Sequence, residues 1–168
     1  MWTGPEISGP VFVWCPMIVK SGDFSDPQIL DLLRQHLQGM RETSPPGHSF
    51  ALDLSGLQRP DVTFLSVWDD GTLLAIGAIK ELARDHGELK SMRTRSDQMR
   101  RGAGTTLLLT LLDLAIMRGY RRVSLETGSG APFEAALALY RKHGFVDGEA
   151  FADYVRSDFN QFLHLDLA

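Results

Sequence analysis

The stretch MRRGAGTTLLLTLLDLA, Met99 to Ala115, sets two arginines and two glycines directly in front of an almost unbroken apolar run. The chain as a whole is acidic, with a net charge of -4 and a pI near 5.7. No whole-molecule attraction to nucleic acid or anionic membrane is therefore expected, and any anion site must be local. The charge is locally basic: between Lys90 and Arg101, five basic residues (Lys90, Arg93, Arg95, Arg100, Arg101) stand against the single acid Asp97, which leaves -8 for the rest of the chain.

Two familiar phosphate loops fail at Arg101 to Thr106. A Walker loop needs a lysine after its last glycine, and here Thr105 follows Gly104 directly. A dinucleotide fingerprint needs a third glycine or an alanine where Leu107 stands, and the preceding strand belongs to an antiparallel run. Two readings remain open: a capped helix with solvated arginines, or a strand–loop–helix junction whose successive N–H groups cradle a pyrophosphate.

Working outward, 43% hydrophobic and 23% charged residues over 168 positions describe one domain able to bury its own core. Cys15 is the only cysteine, which excludes an internal disulfide and a multi-cysteine zinc site; it is expected to be a small half-buried hydrophobe in a reducing compartment. Five scattered histidines (His36, His48, His86, His143, His164) lack ligand spacing, so no metal is expected. The run VFVWCPMIV is too short to span a bilayer and is broken by Pro16, and Glu6 without any Lys or Arg precedes it, so a cytoplasmic protein is expected. Residues 1–16, with Gly4, Pro5, Gly9 and Pro10, read as an N-terminal extension, and 17–168 as the domain.

A first strand follows Met17. A helix capped at Ser25 or Asp26, with Pro27 in its first turn, should end near Gln38 or Gly39. The Pro/Gly/Ser-rich stretch Arg41–Asp61 is a loop with one short helical piece around Phe50–Leu54, and a loop this long is often functional. Val62–Trp68 and Thr72–Glu81 flank Asp-Gly, a hairpin signal, and a third strand runs from Glu88 to Thr94. The leucine-rich helix, apolar on several sides, should be buried on several faces and stop at Gly119. RRVSLETG is a strand, Pro132–His143 a helix, and FVDGEAF and NQFLHLDL supply more strand. This order predicts an α/β (α+β) layer with a largely antiparallel first half.

ELKSMRT, RRGAGTTLL, VSLET and ALALYRKHGF, in this order over Glu88 to Phe145, resemble the motifs of the GNAT superfamily of acyl-CoA-dependent N-acetyltransferases. The resemblance implies a central mixed, mostly antiparallel twisted sheet flanked by helices, with strands 4 and 5 splayed. It implies acetyl-CoA as cosubstrate, held by Met92, Thr94, Met99, Arg100, Arg101, Gly102, Ala103, Gly104, Thr105 and Thr106. Two positions depart from the family: Thr106 stands where glycine or alanine is usual, and Phe133 or a neighbour replaces a common asparagine.

The resemblance also implies direct attack of an amine on the thioester in a ternary complex. The amine must be neutral, which for a lysine-like group of pKa about 10.4 costs about 4 kcal/mol near pH 7.4 and for an α-amine only a few tenths. Glu88 is the candidate base, or alternatively a solvated strand-start carboxylate. The Met92 main-chain N–H is the candidate donor to the carbonyl oxygen, and Tyr140 the candidate acid for the thiolate, or alternatively a core aromatic. No acyl-enzyme is expected, since Ser124, Ser129 and Ser157 have no nucleophile-elbow context. Acceptor recognition should come from the Glu42–Asp53 loop and FADYVRSDFNQF, where Asp153, Tyr154, Asp158 and Asn160 would draw a cationic acceptor or form a solvated turn. The expected partner is a small-molecule amine, with neither nucleic acid nor membrane, and a homodimer is left open. The alternatives are an idle acyl-CoA-binding regulatory module and acetylation of a protein amine.

Overall fold

The computed structural model describes residues 16–168, so Cys15 and the segment before it lie outside the described residues. β1 (Ile18–Ser21), β2 (Val62–Asp69), β3 (Thr72–Ala83) and β4 (His86–Thr94) form an antiparallel series, and β4 then pairs in parallel with β5 (Arg122–Thr127). β7 (Gln161–Asp166) and the two-residue β6 (Val146–Asp147) complete a seven-stranded sheet of order β1-β2-β3-β4-β5-β7-β6. The mixed, mostly antiparallel architecture and the parting of strands 4 and 5 are as expected from the sequence. Asp70 and Gly71 both have positive φ, 44° and 76°, as a two-residue hairpin turn of primed type requires.

Helices cover both faces. α1 (Pro27–Thr43) and α2 (Leu54–Leu57) bury Ile29, Leu32, Leu33 and Leu57 against Phe64, Trp68, Leu73, Ile76 and Ala78. On the opposite face, α3 (Ala103–Met117) and α4 (Glu134–Lys142) bury Leu107, Leu108, Leu111 and Leu137 against Val67, Ile79, Leu125 and Leu163. Among the described residues no helix is long and apolar enough to cross a membrane.

Several boundaries differ from the sequence reading. α1 continues past Gly39 to Thr43; the glycine is there for space, since a Cβ would lie 3.1 Å from a guanidinium nitrogen of Arg93, and it does not act as a stop. The short helix starts at Leu54, where the Asp53 carboxylate accepts from Gly56 N–H at 2.8 Å. β3 and β4 reach a two-residue turn at Arg84–Asp85, so β4 begins at His86 and not at Glu88. Pro132 belongs to a 3₁₀ turn that precedes α4. α3, expected to be buried on several faces, buries one broad side through Leu107, Leu108, Leu111, Leu112 and Ala115, while Leu109, Ile116 and Met117 are exposed.

Candidate active site

The β4–β5 ladder holds only at its beginning. His86, Gly87 and Glu88 pair with Arg122, Val123 and Ser124, and beyond Glu88 no residue of β4 pairs with β5. The strands part into a notch along Leu89 to Thr94, which leaves the β5-facing main-chain groups of that segment, including those around Met92, without a strand partner. One serine braces the closed end: Ser124 Oγ is 2.7 Å from His86 Nε2 and 2.7 Å from His164 Nδ1, joining β4, β5 and β7. It is buried in mid-strand, which suits a brace and not a nucleophile.

A bulge shapes the open segment. Lys90 pairs with Ala78 and Arg93 with Ile76, so Ser91 and Met92 together oppose Gly77. Ser91 takes the left-handed conformation, with φ 55°. Met92 turns towards α3, where a Cβ at position 77 would collide with its sulfur. The extra residue inverts the side-chain alternation, so that Glu88, Lys90 and Arg93 all share the α1 face.

At the notch's outer end, the loop before α3 fits a pyrophosphate. Arg100 and Gly102 have φ of 63° and 84°, and such left-handed residues aim neighbouring N–H groups into one concavity. α1 and α2 are capped by aspartates, whereas α3 has no side-chain cap. The first helical bond runs from Thr106 N–H to Gly102 O, so Ala103, Gly104 and Thr105 are left as the unpaired donors. The Thr106 hydroxyl lies 3.9 Å from Met17 Sδ, towards β1. A Cβ at Gly104 would sit 3.3 Å from Thr94 Oγ1 and 3.6 Å from Leu139 Cδ2, so the end of β4 and α4 enclose the loop. Met99 and Arg100 are exposed, but Arg101 is tied to Asp69 and to Gln98 at 2.8 Å, and it anchors the loop to the β2–β3 turn.

The α1 face of the notch carries the titratable groups. Glu88 is only 2% exposed and accepts from the Tyr154 hydroxyl and from Lys90 Nζ at 3.3 Å, so it is not a solvated carboxylate. Lys90 Nζ also donates to Phe50 O at 3.1 Å and to the Tyr154 oxygen at 2.6 Å, which uses all three of its protons. Burial first, then the neighbouring Glu88 charge, pushes the Tyr154 phenol upward. Glu126 stands two residues past Ser124 on the same face of β5 and has no hydrogen bond among the described residues. Burial, reinforced by Glu88 and opposed by Lys90, raises its carboxyl to about 7.

Tyr140, on α4, lies on the opposite face, 6% exposed and packed on Phe145 at a ring separation of 5.7 Å. Burial raises its phenol above the ordinary value. Phe133, at the departure from the family pattern, is a core residue against Phe159.

Both expected acceptor segments close over the notch: Phe50 meets Tyr154 at 5.2 Å and His48 meets Phe159 at 6.1 Å between ring centres. Of the four polar residues expected there, Tyr154 points inward, Asn160 fastens its own turn through Ser157 N–H and Val155 O, and Asp153 and Asp158 are exposed. Glu126 was missed in the sequence reading. Its signal was strand alternation, since Val123 and Leu125 face the α3 core and position 126 must face the other way. Among the described residues no group of His, Cys, Asp and Glu is arranged to hold a metal.

Residues 27–145 match the acetyltransferase (GNAT) family. The chain is 46% identical over 149 residues to the uncharacterized N-acetyltransferase YedL of Escherichia coli (strain K12), covering 89% of this chain and 94% of that one. It is 44% identical over 138 residues to the uncharacterized N-acetyltransferase YsnE of Bacillus subtilis (strain 168), covering 82% and 91%. A GNAT family acetyltransferase from Elizabethkingia anophelis, crystallised with acetyl-CoA bound, superposes with a TM-score of 0.65 at 15% identity over 90% of this chain and 98% of that one. With the uncapped glycine loop, the parted strands and these relatives in agreement, the chain belongs to the GNAT family and is an N-acetyltransferase.

Proposed function

We propose that the protein acetylates the primary amine of a small molecule or amino acid by direct attack within a ternary complex. The observation that carries this reading is the notch itself: past Glu88 the strands separate, with Glu126 on one face of the sheet and Tyr140 on the other. Acetyl-CoA supplies the activated acyl group; Ala103, Gly104 and Thr105 would hold its pyrophosphate through main-chain N–H groups, with Met92 and Thr94 along the notch. The acceptor enters from the α1 face beneath Phe50 and Tyr154. Its nitrogen forms the new bond to the carbonyl carbon while the carbon–sulfur bond breaks, and the Met92 N–H donates to the carbonyl oxygen as charge grows there.

Glu126 takes the proton that the amine loses. Glu88 was the expected base, but its carboxylate is occupied by Lys90 and Tyr154, whereas Glu126 is unpartnered and raised to about 7, a value suited to general base work near neutrality. Tyr140 donates a hydrogen bond to the departing thiolate. A phenol near 10 is already a weaker acid than a thiol near 8.5, by about 2 kcal/mol, and burial weakens it further. Its help is therefore a hydrogen bond that strengthens with charge and not a completed transfer.

The test is thiol release from acetyl-CoA across an amine panel of α-amines, ω-amines and amino acids, beside a titration of acetyl-CoA binding. Turnover with small amines is expected. Saturable binding without turnover on any of them would favour the idle regulatory module, and acetylation confined to protein amines would replace the small acceptor.

A further inference from the structure

The α1 face of β4 carries a second polar cluster, beyond the groups assigned to the transfer chemistry. Of the five basic residues between Lys90 and Arg101, Lys90 is held by Glu88, Arg95 by Asp97 and Arg101 by Asp69. Arg100 is exposed at the loop tip. Arg93 is half-buried inside the fold, yet among the described residues its side chain has neither an acid partner nor a hydrogen bond. Its guanidinium lies along α1 where Gly39 leaves room, 3.1 Å from where a Cβ would be. One turn earlier on α1, His36 is 7% exposed and its Nδ1 has no partner. Burial first, then the Arg93 charge, lowers its imidazole to about 4, so it is neutral and able to donate one N–H. Ser44, at the end of the same helix, and Ser91, 9% exposed on the bulge beside Arg93, also have buried hydroxyls without partners.

His36, Ser44 and Ser91 hold the only buried side-chain polar atoms without a hydrogen bond among the described residues. Of the three, His36 is the one that feels the Arg93 charge, one turn from the Gly39 position against which the guanidinium lies. Buried polar groups are ordinarily satisfied, and leaving each one open costs about 1–3 kcal/mol. A cation with a neutral imidazole donor near it, and no acid, is the complement of an anion. The bulge puts this cluster on the acceptor side: without the extra residue Arg93 would point at α3, away from the notch. Met92 and Arg93 are consecutive, so the donor to the carbonyl oxygen and the free guanidinium sit next to each other on the chain.

We infer that Arg93, with His36, forms a subsite for a carboxylate on the acceptor, so that the substrate class is amino acids and other amines bearing an acid group. This rests on the amine acetylation proposed above. In this reading the acceptor is held by two charges at once, Glu126 at the amine end and Arg93 at the acid end.

The experiment compares the common amino acids with their carboxamides, using the full chain and Arg93→Gln. Thiol release gives kcat/KM, and calorimetry gives the binding of N-acetylated acids and amides to the CoA complex. Acids should exceed the matching amides by about 10- to 100-fold in the native protein, the range of a charge-assisted hydrogen bond. In Arg93→Gln that ratio should fall towards one, mostly through KM, with the acetyl-CoA dissociation constant within about twofold of native. Equal use of acids and amides by the native protein overturns the subsite and keeps the transferase, as does a failure of any carboxylate to bind or react while neutral amines turn over. A tenfold loss of acetyl-CoA affinity in Arg93→Gln would give the guanidinium to the cosubstrate and likewise overturn it. No acetyl-CoA binding at all would remove the reading on which the subsite rests.

Discussion

Glu126→Gln should make the protein more stable and less active, and both effects should depend on pH. In the folded chain the carboxyl holds its proton up to about 7, against 4.5 ordinarily. The folded state therefore binds more protons than the unfolded state between those values. The stabilisation due to this group is complete below 4.5 and is lost as pH rises through 7. The full difference would correspond to about 3 kcal/mol at 1.36 kcal/mol per pH unit. The side chain is only partly buried, so solvent screening reduces this to about 1–2 kcal/mol. Glutamine keeps the shape of the protonated acid without the charge. At pH 8 it should raise Tm by about 2–8 °C for a domain of this size, and below pH 5 it should change little. In the same variant kcat/KM at pH 8 should fall by roughly 10²- to 10⁴-fold. The limb of the pH–rate profile with a midpoint near 7 should vanish, leaving only the ionisation of the acceptor amine. Differential scanning calorimetry at the two pH values and steady-state kinetics with an accepted amine make the comparison. An equal Tm change at both pH values would show that the carboxyl is not held protonated. A stabilised variant with native kinetics would return the proton to another acceptor.

Glu88→Gln breaks a buried pair, with side chains 3% and 10% exposed, and should destabilise the protein by about 3–5 kcal/mol in urea unfolding; a loss under 1 kcal/mol would mean that Lys90 is not held by that charge. Tyr140→Phe should lower kcat where chemistry limits turnover, by up to about 10²-fold for a hydrogen-bond donor and more for a full acid, with acetyl-CoA affinity unchanged by titration. Unchanged kcat would make Tyr140 a core residue only. Gly104→Val should fold yet abolish the thermal shift from acetyl-CoA, about 2.7 kcal/mol at a hundredfold excess over Kd, because the added methyl groups enter a loop already bounded by Thr94 and Leu139; a native shift would reduce the loop to a helix start.

Much of this fold was legible because its signals are local. Asp26 before Pro27, Asp-Gly between two apolar runs, and glycines after Arg118 and His143 each fix a boundary through the chemistry of a few neighbouring residues. The misplaced end of α1 shows where such signals fail: Gly39 looks like a stop, but its reason lies on a strand more than fifty residues away, at Arg93. The site divides along the same line. The glycine loop and Tyr140 sit in contiguous motifs and could be proposed from those alone. Glu126 could not, because its importance comes from the parting of β4 and β5 beside it and from Glu88 having been taken by Lys90 and Tyr154, which no single segment contains. The bulge at Ser91 was equally silent, since nothing in KSMRT marks an inserted residue and its effect is felt only through the partner strand.

The three paired residues joining β4 to β5 have a mechanical meaning. A four-stranded piece and a three-stranded piece meet along that short seam, riveted by Ser124 between two histidines and backed by the α3 core. A molecule lying in the notch and bonding to the vacant edge of β4 continues the seam where peptide leaves off. With acetyl-CoA in the proposed position, the cosubstrate would be part of the masonry as well as the reactant, and each turnover would take out and replace a course of the wall.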